Sequence, residues 1–307
     1  MRPRRAQSGV AVIVAVLVVA LATSVATYLL WQQSLWTRQI ENLGARAQGD
    51  ALARGAAVWA AAILAEDDPA IDHLGELWAR GMPAFAAEAA QFAGAITDEQ
   101  SKFNVNNLAR EGGVAPQDLV AFQRLLAAVG LPAGLAEAVV DWLDPDDEVM
   151  APNGAEDPYY LALDPPYRAA NHRVIDIAEL ARVKGFDAGI VARLAPFVTA
   201  LPEETPVNVN TAPAQVLQAL VPGISAEDAR RLVELRAKRP FASRDDFLKA
   251  LPQRPSAPID AQIDIKSQYF VAEATVRLGR VVAGYHALLR RSERGLPAAI
   301  SLSQVAI

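Results

Sequence analysis

Hydrophobic residues are distributed unevenly along this chain, and the longest uninterrupted run stands near its start. No charged side chain occurs from Ala6 to Thr37, and three arginines precede that run. Residues 10–36 would span about 40 Å as a helix, and the apolar region of a cleavable secretory signal is shorter, at about 7–15 residues. The pattern predicts one membrane-spanning helix with its basic N-terminus in the cytoplasm.

The pattern then changes to the period of an amphipathic helix. Ile40, Leu43, Ala47 and Ala51 recur at three- and four-residue spacing, so the first helix is expected to continue to about residue 64. A loop rich in Pro and Gly follows, and residues 91–108 read as two strands around a turn at 98–101. Further helices are predicted at 115–143, with a break at 130–132, and at 176–183, 187–199, 212–220, 225–238 and 244–250. Residues 144–171 are irregular.

The last part of the chain has the composition of long strands. Residues 262–290 are rich in β-branched and aromatic side chains and are expected to form a hairpin that turns at Gly279–Arg280. A helical block between two pairs of strands favours an α+β fold in which a large all-α domain is inserted. The two strand pairs would share one sheet, packed on the amphipathic half of the first helix.

Charge and composition exclude several classes of protein. The net charge is −6, which argues against a general binder of nucleic acid or anionic lipid. The chain has no cysteine, which removes disulfides, zinc–thiolate sites and thiol catalysis, and its three histidines are widely separated. No G-x-S-x-G, H-E-x-x-H or P-loop motif occurs, so an enzyme is not expected.

A short motif occurs twice. "KFNVNNL" at 102–108 and "PVNVNTAP" at 206–213 are each followed by two predicted helices, which indicates a weak internal duplication. The second copy resembles the helix-hairpin-helix family, many members of which bind DNA phosphates, so a membrane-anchored DNA receptor is an alternative reading. Residues 226–250 carry seven Lys or Arg against five acids, which is a slight excess for a phosphate binder. Nucleic acid is therefore not the expected partner.

The stretch "DWLDPDDEVMAPNGAEDPYY" at 141–160, the acidic segment, holds seven acids. No Lys or Arg occurs between Arg124 and Arg168, and that interval contains nine acids. Many carboxylate oxygens on an irregular backbone suit Ca²⁺, which takes six to eight oxygens in loose geometry, although the spacing is not that of an EF-hand. A solvated acidic loop is the alternative that the spacing leaves open.

Basic head, Gly9 and a long apolar helix together resemble the type IV prepilin class. The resemblance implies that a prepilin peptidase removes a leader of residues 1–9 and leaves Val10 as the N-terminus, usually methylated. The mature chain would have a net charge of −9, because three arginines leave with the leader. Most pilins carry glutamate at the fifth mature position, where this chain has Val14. That departure is usual in the minor pseudopilin K family of the type II secretion system.

The element order and the acidic segment also resemble the pseudopilin K family, over nearly the whole chain. The resemblance implies a pilin-like antiparallel sheet at 37–108 and 255–292, a helical insertion at 109–254 and a C-terminal tail at 293–307. It also implies calcium binding by a "D-W-x-D-x-D … G-A-E-D-x-Y" segment. The expected calcium ligands are the following carboxylates: Asp141, Asp144, Asp146, Asp147, Glu156 and Asp157.

The same resemblance implies a role and a location. The expected role is a minor pseudopilin at the tip of a pseudopilus, which initiates or caps the filament during export of folded proteins across the outer membrane. The expected partners are minor pseudopilins I and J, then H, together with the major pseudopilin and the prepilin peptidase. The anchor would lie in the bacterial inner membrane, with the folded part in the periplasm.

Overall fold

The computed structural model describes residues 8–87, 90–110, 113–278, 281–292 and 297–305. Most of the leader expected at 1–9 and the turn expected at Gly279–Arg280 lie outside these residues. The helices are α1 Ser8–Glu66, α2 Pro116–Ala128, α3 Leu135–Leu143, α4 Asp157–Tyr160, α5 Ala188–Leu194, α6 Ala214–Leu220, α7 Ala226–Lys238 and α8 Arg244–Ala250. The strands are β1 Met82–Ala87, β2 Ala90–Asp98, β3 Phe103–Asn104, β4 Ala109–Arg110, β5 Gly113–Val114, β6 Val198–Thr199, β7 Val207–Asn208, β8 Ile263–Asp264, β9 Tyr269–Leu278, β10 Val281–Arg290 and β11 Ala298–Val305.

Helix α1 is 59 residues long, which corresponds to about 90 Å at 1.5 Å per residue. Its N-terminal part contains a window with a mean hydropathy of 2.7, none of it buried inside the protein. Further along, Ala57, Ala60 and Leu64 are buried and pack on the sheet residues Phe270 and Leu289. The expected division of one helix into an apolar half and a sheet-packing half is confirmed.

The main sheet has five strands in the order β1-β2-β9-β10-β11, and all its neighbours are antiparallel. The predicted α+β class and the predicted pairing of segment 91–98 with the C-terminal hairpin are confirmed. Three details differ from the prediction. Strand β1 begins at the end of the expected loop and continues into residues for which no element was predicted, β11 lies in the expected tail, and β3 leaves the main sheet.

Strand β3 was predicted in the main sheet, but it pairs in parallel with β6 instead. A strand of two residues carries too little periodicity to indicate its partner, and here that partner lies about a hundred residues away in the chain. Helix α5 also ends earlier than the predicted 199, at Leu194, because Pro196 cannot continue the hydrogen-bond ladder. The stretch predicted as a helix at 176–183 is a short 3₁₀ helix, Ile177–Arg182.

The helical block has its own hydrophobic core, separate from the core under α1. Helix α2 contributes Phe122 and Leu125, and helix α7 contributes Leu232, all of them buried. Helix α7 begins at a capping box, in which Ser225 and Asp228 each accept a hydrogen bond from the other's backbone N–H. Helix α8 begins after Ser243, whose side chain accepts a hydrogen bond from the backbone N–H of Asp246. The predicted bounds of both helices agree with the structure to within one residue.

The two copies of the repeated motif make matching contacts. Asn106 accepts a hydrogen bond from the backbone N–H of Val174 and donates one to its carbonyl oxygen, both at 2.9 Å. Asn210 contacts Phe241 in the same two ways, at 2.9 and 3.1 Å. The preceding strands also match, since β3 pairs in parallel with β6 and β7 pairs in parallel with β8. The insertion therefore consists of two similar units. In each unit, one asparagine side chain joins the start of the unit to a later segment through two backbone hydrogen bonds.

A buried polar cluster joins the main sheet to the insertion. The carboxylate of Asp98, at the end of β2, accepts hydrogen bonds from the side chains of Asn208, Thr211 and Ser267 and from the backbone N–H of Gln100. Two of these residues belong to the insertion and two to the segments that lead into and out of the sheet. The cluster fixes the attachment of the insertion to the sheet.

Candidate functional site

The acidic segment begins inside helix α3 and ends in helix α4. Val139, Val140 and Trp142 bury α3 in the core of the insertion, and Asp141 lies among them in its last turn. Trp142 also packs edge-to-face on Tyr160, with ring centroids 5.1 Å apart. The aromatic contact brings the two ends of the segment together, so its carboxylates converge.

Three carboxylates of the segment are buried. Asp141, Asp144 and Glu156 are 0%, 4% and 1% exposed. Among the ion pairs of the described residues, none includes any of these three. Buried carboxylates without a neighbouring cation are costly, because burial removes the water that solvates their charge.

The hydrogen bonds do not compensate for this burial. Both carboxylate oxygens of Glu156 and Oδ1 of Asp144 are buried and have no hydrogen-bond partner among the described residues. Burial, together with the charges of neighbouring aspartates, raises the pKa of Glu156 to about 8 and that of Asp144 to about 7. Burial also raises the pKa of Asp141, although the backbone N–H of Met150 donates to both its oxygens at 3.1 Å. Oxygen atoms of this kind are those that a hard divalent cation uses as ligands.

Gly154 is required by the close approach of the chain to Asp141. A Cβ atom built at this position would collide with the carboxylate of Asp141 and would lie 2.6 Å from the carbonyl oxygen of Met150. Any larger residue would therefore push the turn at 150–154 away from the carboxylates.

The six predicted calcium ligands occupy different environments. Asp146 and Asp147 are exposed, and Asp146 accepts a hydrogen bond from the backbone N–H of Glu148. Asp157 is half-buried, accepts a hydrogen bond from the backbone N–H of Ala169 and lies 3.3 Å from Arg168. These three therefore differ from Asp141, Asp144 and Glu156, which are buried and form no ion pair among the described residues. The sequence could not make that distinction, because all six look alike in composition.

A second acidic cluster was not predicted. Ligand atoms of Asp67, Asp72 and Glu76 lie within 4.8 Å of one another. Arg291 bridges Asp67 and Asp72, with both nitrogen–oxygen distances at 2.7 Å. The cation that this cluster needs is thus supplied by the protein, and the cluster joins the end of α1 to the end of β10.

The predicted peptidase site lies at the start of the first helix. Gly9 and Val10 both belong to the first turn of α1, which begins at Ser8. Val14, at the position where most pilins carry glutamate, is 54% exposed on the apolar part of the helix. Cleavage after Gly9 stays a prediction.

In the hairpin considered for DNA binding, a carboxylate already occupies hydrogen-bond donors at the start of helix α7. The carboxylate of Asp228 accepts hydrogen bonds from the backbone N–H and the hydroxyl group of Ser225, at 3.0 and 2.7 Å. These hydrogen bonds lower the pKa of Asp228, so its negative charge stands where a phosphate would have to bind. The DNA-receptor alternative is not supported.

Comparison with known proteins gives a consistent result. Two family models, both described as type II secretion system protein K, match residues 101–203 and 207–266, which correspond to the two units of the insertion. The chain is 38% identical to the type II secretion system protein K of Pseudomonas aeruginosa over 290 residues, covering 90% of this chain and 86% of that protein. It is 32% identical to the protein of the same name from Aeromonas hydrophila, with 90% of each chain covered.

A solved structure also has this fold over almost its full length. It is a chain from the crystal structure of the GspK–GspI–GspJ complex from the type 2 secretion system of enterotoxigenic Escherichia coli. The TM-score is 0.77 at 26% identity, and the match covers 88% of this chain and 99% of that chain.

Proposed function

The chain belongs to the type II secretion system protein K family, and we propose that it is the minor pseudopilin that caps the tip of the pseudopilus. The observation that carries this role is the match to nearly all of a chain from a GspK–GspI–GspJ complex. The role is mechanical: the protein initiates or caps a filament that drives folded proteins across the outer membrane. A catalytic role is not part of the proposal.

The proposed membrane anchor is the N-terminal part of helix α1. Its apolar N-terminal part would cross the inner membrane once, with the arginines before it in the cytoplasm and the sheet and insertion in the periplasm. We propose that a prepilin peptidase cuts after Gly9, so that Val10 begins the mature chain.

The position at the tip is supported by two features. Val14 offers no charge to pair with the N-terminus of a subunit above it in the membrane. The insertion, formed by two helical units, adds bulk above the sheet where a further subunit would have to stack. Subunits would therefore lie only beneath this one.

The proposed direct partners are the minor pseudopilins I and J, followed by H and the major pseudopilin. The test is purification of the tagged full chain from membranes that also contain I and J. A stable complex with one copy of each protein is expected in detergent. Recovery of this chain alone, while I and J still bind each other, would contradict the proposal.

We further propose that the acidic segment binds calcium through Asp141, Asp144 and Glu156. The support for this step is the burial of all three carboxylates, and the oxygens of Asp144 and Glu156 that have no hydrogen-bond partner among the described residues. When bound, calcium would neutralise these charges and hold the two ends of the segment together. Isothermal titration of the full chain with CaCl₂ tests it: binding is expected, and no binding at millimolar calcium would contradict it.

A further inference from the structure

Lys184 contacts the acidic segment from outside it. It is the only lysine between residues 103 and 237, and it follows the 3₁₀ helix that ends at Arg182. Its Nζ atom donates a hydrogen bond of 2.9 Å to the carbonyl oxygen of Gly154 and lies 5.2 Å from the centre of the Tyr159 ring. Its backbone N–H donates to the hydroxyl group of Tyr160 at 3.3 Å. Lys184 thus holds the segment on both sides of Glu156.

The contact with Gly154 is connected to the buried carboxylates. The backbone N–H of Gly154 donates to the carbonyl oxygen of Met150 at 2.8 Å, and the N–H of Met150 donates to Asp141. The turn at 150–154 is therefore held by Asp141 on one side and by Lys184 on the other. Gly154 lies directly against the carboxylate of Asp141, with no space for a side chain between them. Movement of this turn would therefore also move that carboxylate.

We propose that Lys184 is a positioning residue that orders the acidic segment before a cation binds. The inference rests on the calcium proposal above. A loop that is already ordered loses less conformational entropy on binding, so the same ligands bind more tightly. Neither the sequence pattern nor the family resemblance indicated a role for this lysine.

The charge of Lys184 acts in the opposite direction. A positive charge near the segment repels calcium, and this repulsion weakens calcium binding. If Lys184 were only a counter-ion, its removal would tighten calcium binding. If it is a positioning residue, its removal weakens binding although a positive charge is lost. The sign of the change separates the two roles.

The test uses Lys184→Met in the full chain in detergent, because methionine keeps an unbranched apolar side chain but has neither the charge nor the N–H donors. Calcium affinity is measured by isothermal titration. Cleavage by a glutamate-specific protease after Glu148 and Glu156 is followed in a chelator. The matched control is Lys249→Met, since Lys249 is exposed on α8 and, among the described residues, forms an ion pair with Asp245 alone, one turn away, at 2.9 Å.

Lys184→Met is expected to weaken calcium binding on the order of tenfold, as for a hydrogen bond from a charged donor, and to speed cleavage without calcium. Lys184→Arg keeps the charge and the donors and should restore most of the affinity. Lys249→Met should resemble the wild type in both measurements. Unchanged or tighter binding by Lys184→Met, beside a wild type that binds calcium, would overturn this inference alone. A wild type that binds no calcium would overturn the calcium proposal and the inference with it.

Discussion

At the residue scale, the acidic segment depends most on Glu156, because neither oxygen of its buried carboxylate has a hydrogen-bond partner in the part of the chain that the structure describes. Glutamine has the same shape without the charge. We expect Glu156→Gln to raise the melting temperature in a chelator and to abolish the further rise that calcium gives to the wild type. Differential scanning fluorimetry of the full chain, with and without calcium, measures both effects.

The matched control for this change is Glu148→Gln, which makes the same substitution at an exposed position of the same segment. It should leave the calcium-dependent rise intact, since an exposed carboxylate is solvated by water. A full calcium response in Glu156→Gln, or an equal loss in both variants, would contradict the ligand assignment.

Asp98 gives a pH-dependent contribution to stability. Burial raises its pKa to about 6, against the hydrogen bonds that it accepts from Thr211 and Ser267. Because the folded pKa lies above that of the unfolded chain, the contribution is fully present at low pH and is lost as pH rises from about 4 through 6. Asp98→Asn should therefore reduce the fall in unfolding free energy between pH 4.5 and 7.5, by about 2 kcal/mol.

Urea unfolding of the wild type and of Asp98→Asn at both pH values gives this difference directly. The constant cost of the altered hydrogen bonds cancels, because only the change with pH is compared. Parallel pH profiles for the two proteins would show that Asp98 has an ordinary pKa.

At the element scale, each unit of the insertion is closed by one asparagine. In Asn210→Ala, the backbone N–H and carbonyl group of Phe241 would lose both partners while still buried. We expect a loss of about 2 to 3 kcal/mol in unfolding free energy, measured in urea. Gln253→Ala removes one exposed hydrogen bond to Gly223 and should cost less than about 0.5 kcal/mol. Equal losses in the two variants would mean that the asparagine does not close the unit.

The elements predicted best are those with their own local signals. Helix α8 has the predicted bounds because Ser243 caps it, and Ser225 with Asp228 marks the start of α7 in the same way. Strands β3 and β11 were misplaced for the opposite reason. A two-residue strand has no period, and within β11 apolar and serine residues alternate only briefly. Their partners are set by the fold as a whole.

The acidic segment was partly predictable in the same sense. Its density of carboxylates is visible in the sequence, and so is the glycine at 154. Which carboxylates are buried depends on helix α3 and on the contact between Trp142 and Tyr160, which brings the ends of the segment together. Lys184 reaches the segment from 30 residues beyond Gly154, a distance in the chain that no local pattern spans.

At the scale of the whole molecule, the order of the elements along the chain was sufficient to predict most of the architecture. The chain contains, in order, a long helix, a strand pair, a helical block and a strand hairpin. Few arrangements suit this order other than one in which the strands form a single sheet, the sheet packs on the long helix and the helical block is inserted between the strands. The attachment of that insertion was not predictable, because Asp98 meets Asn208 and Ser267 only in the folded chain.

The central claim is that the chain is a processed minor pseudopilin, and the most direct test is the intact mass and N-terminal sequence of the membrane-inserted protein. It should be produced with and without a prepilin peptidase, and a Gly9→Leu variant serves as the control for the cleavage site. We expect a chain that begins at Val10 only when the peptidase is present and Gly9 is intact. A chain that keeps Met1 in the presence of the peptidase, or one cut beyond Ala22, would contradict the claim.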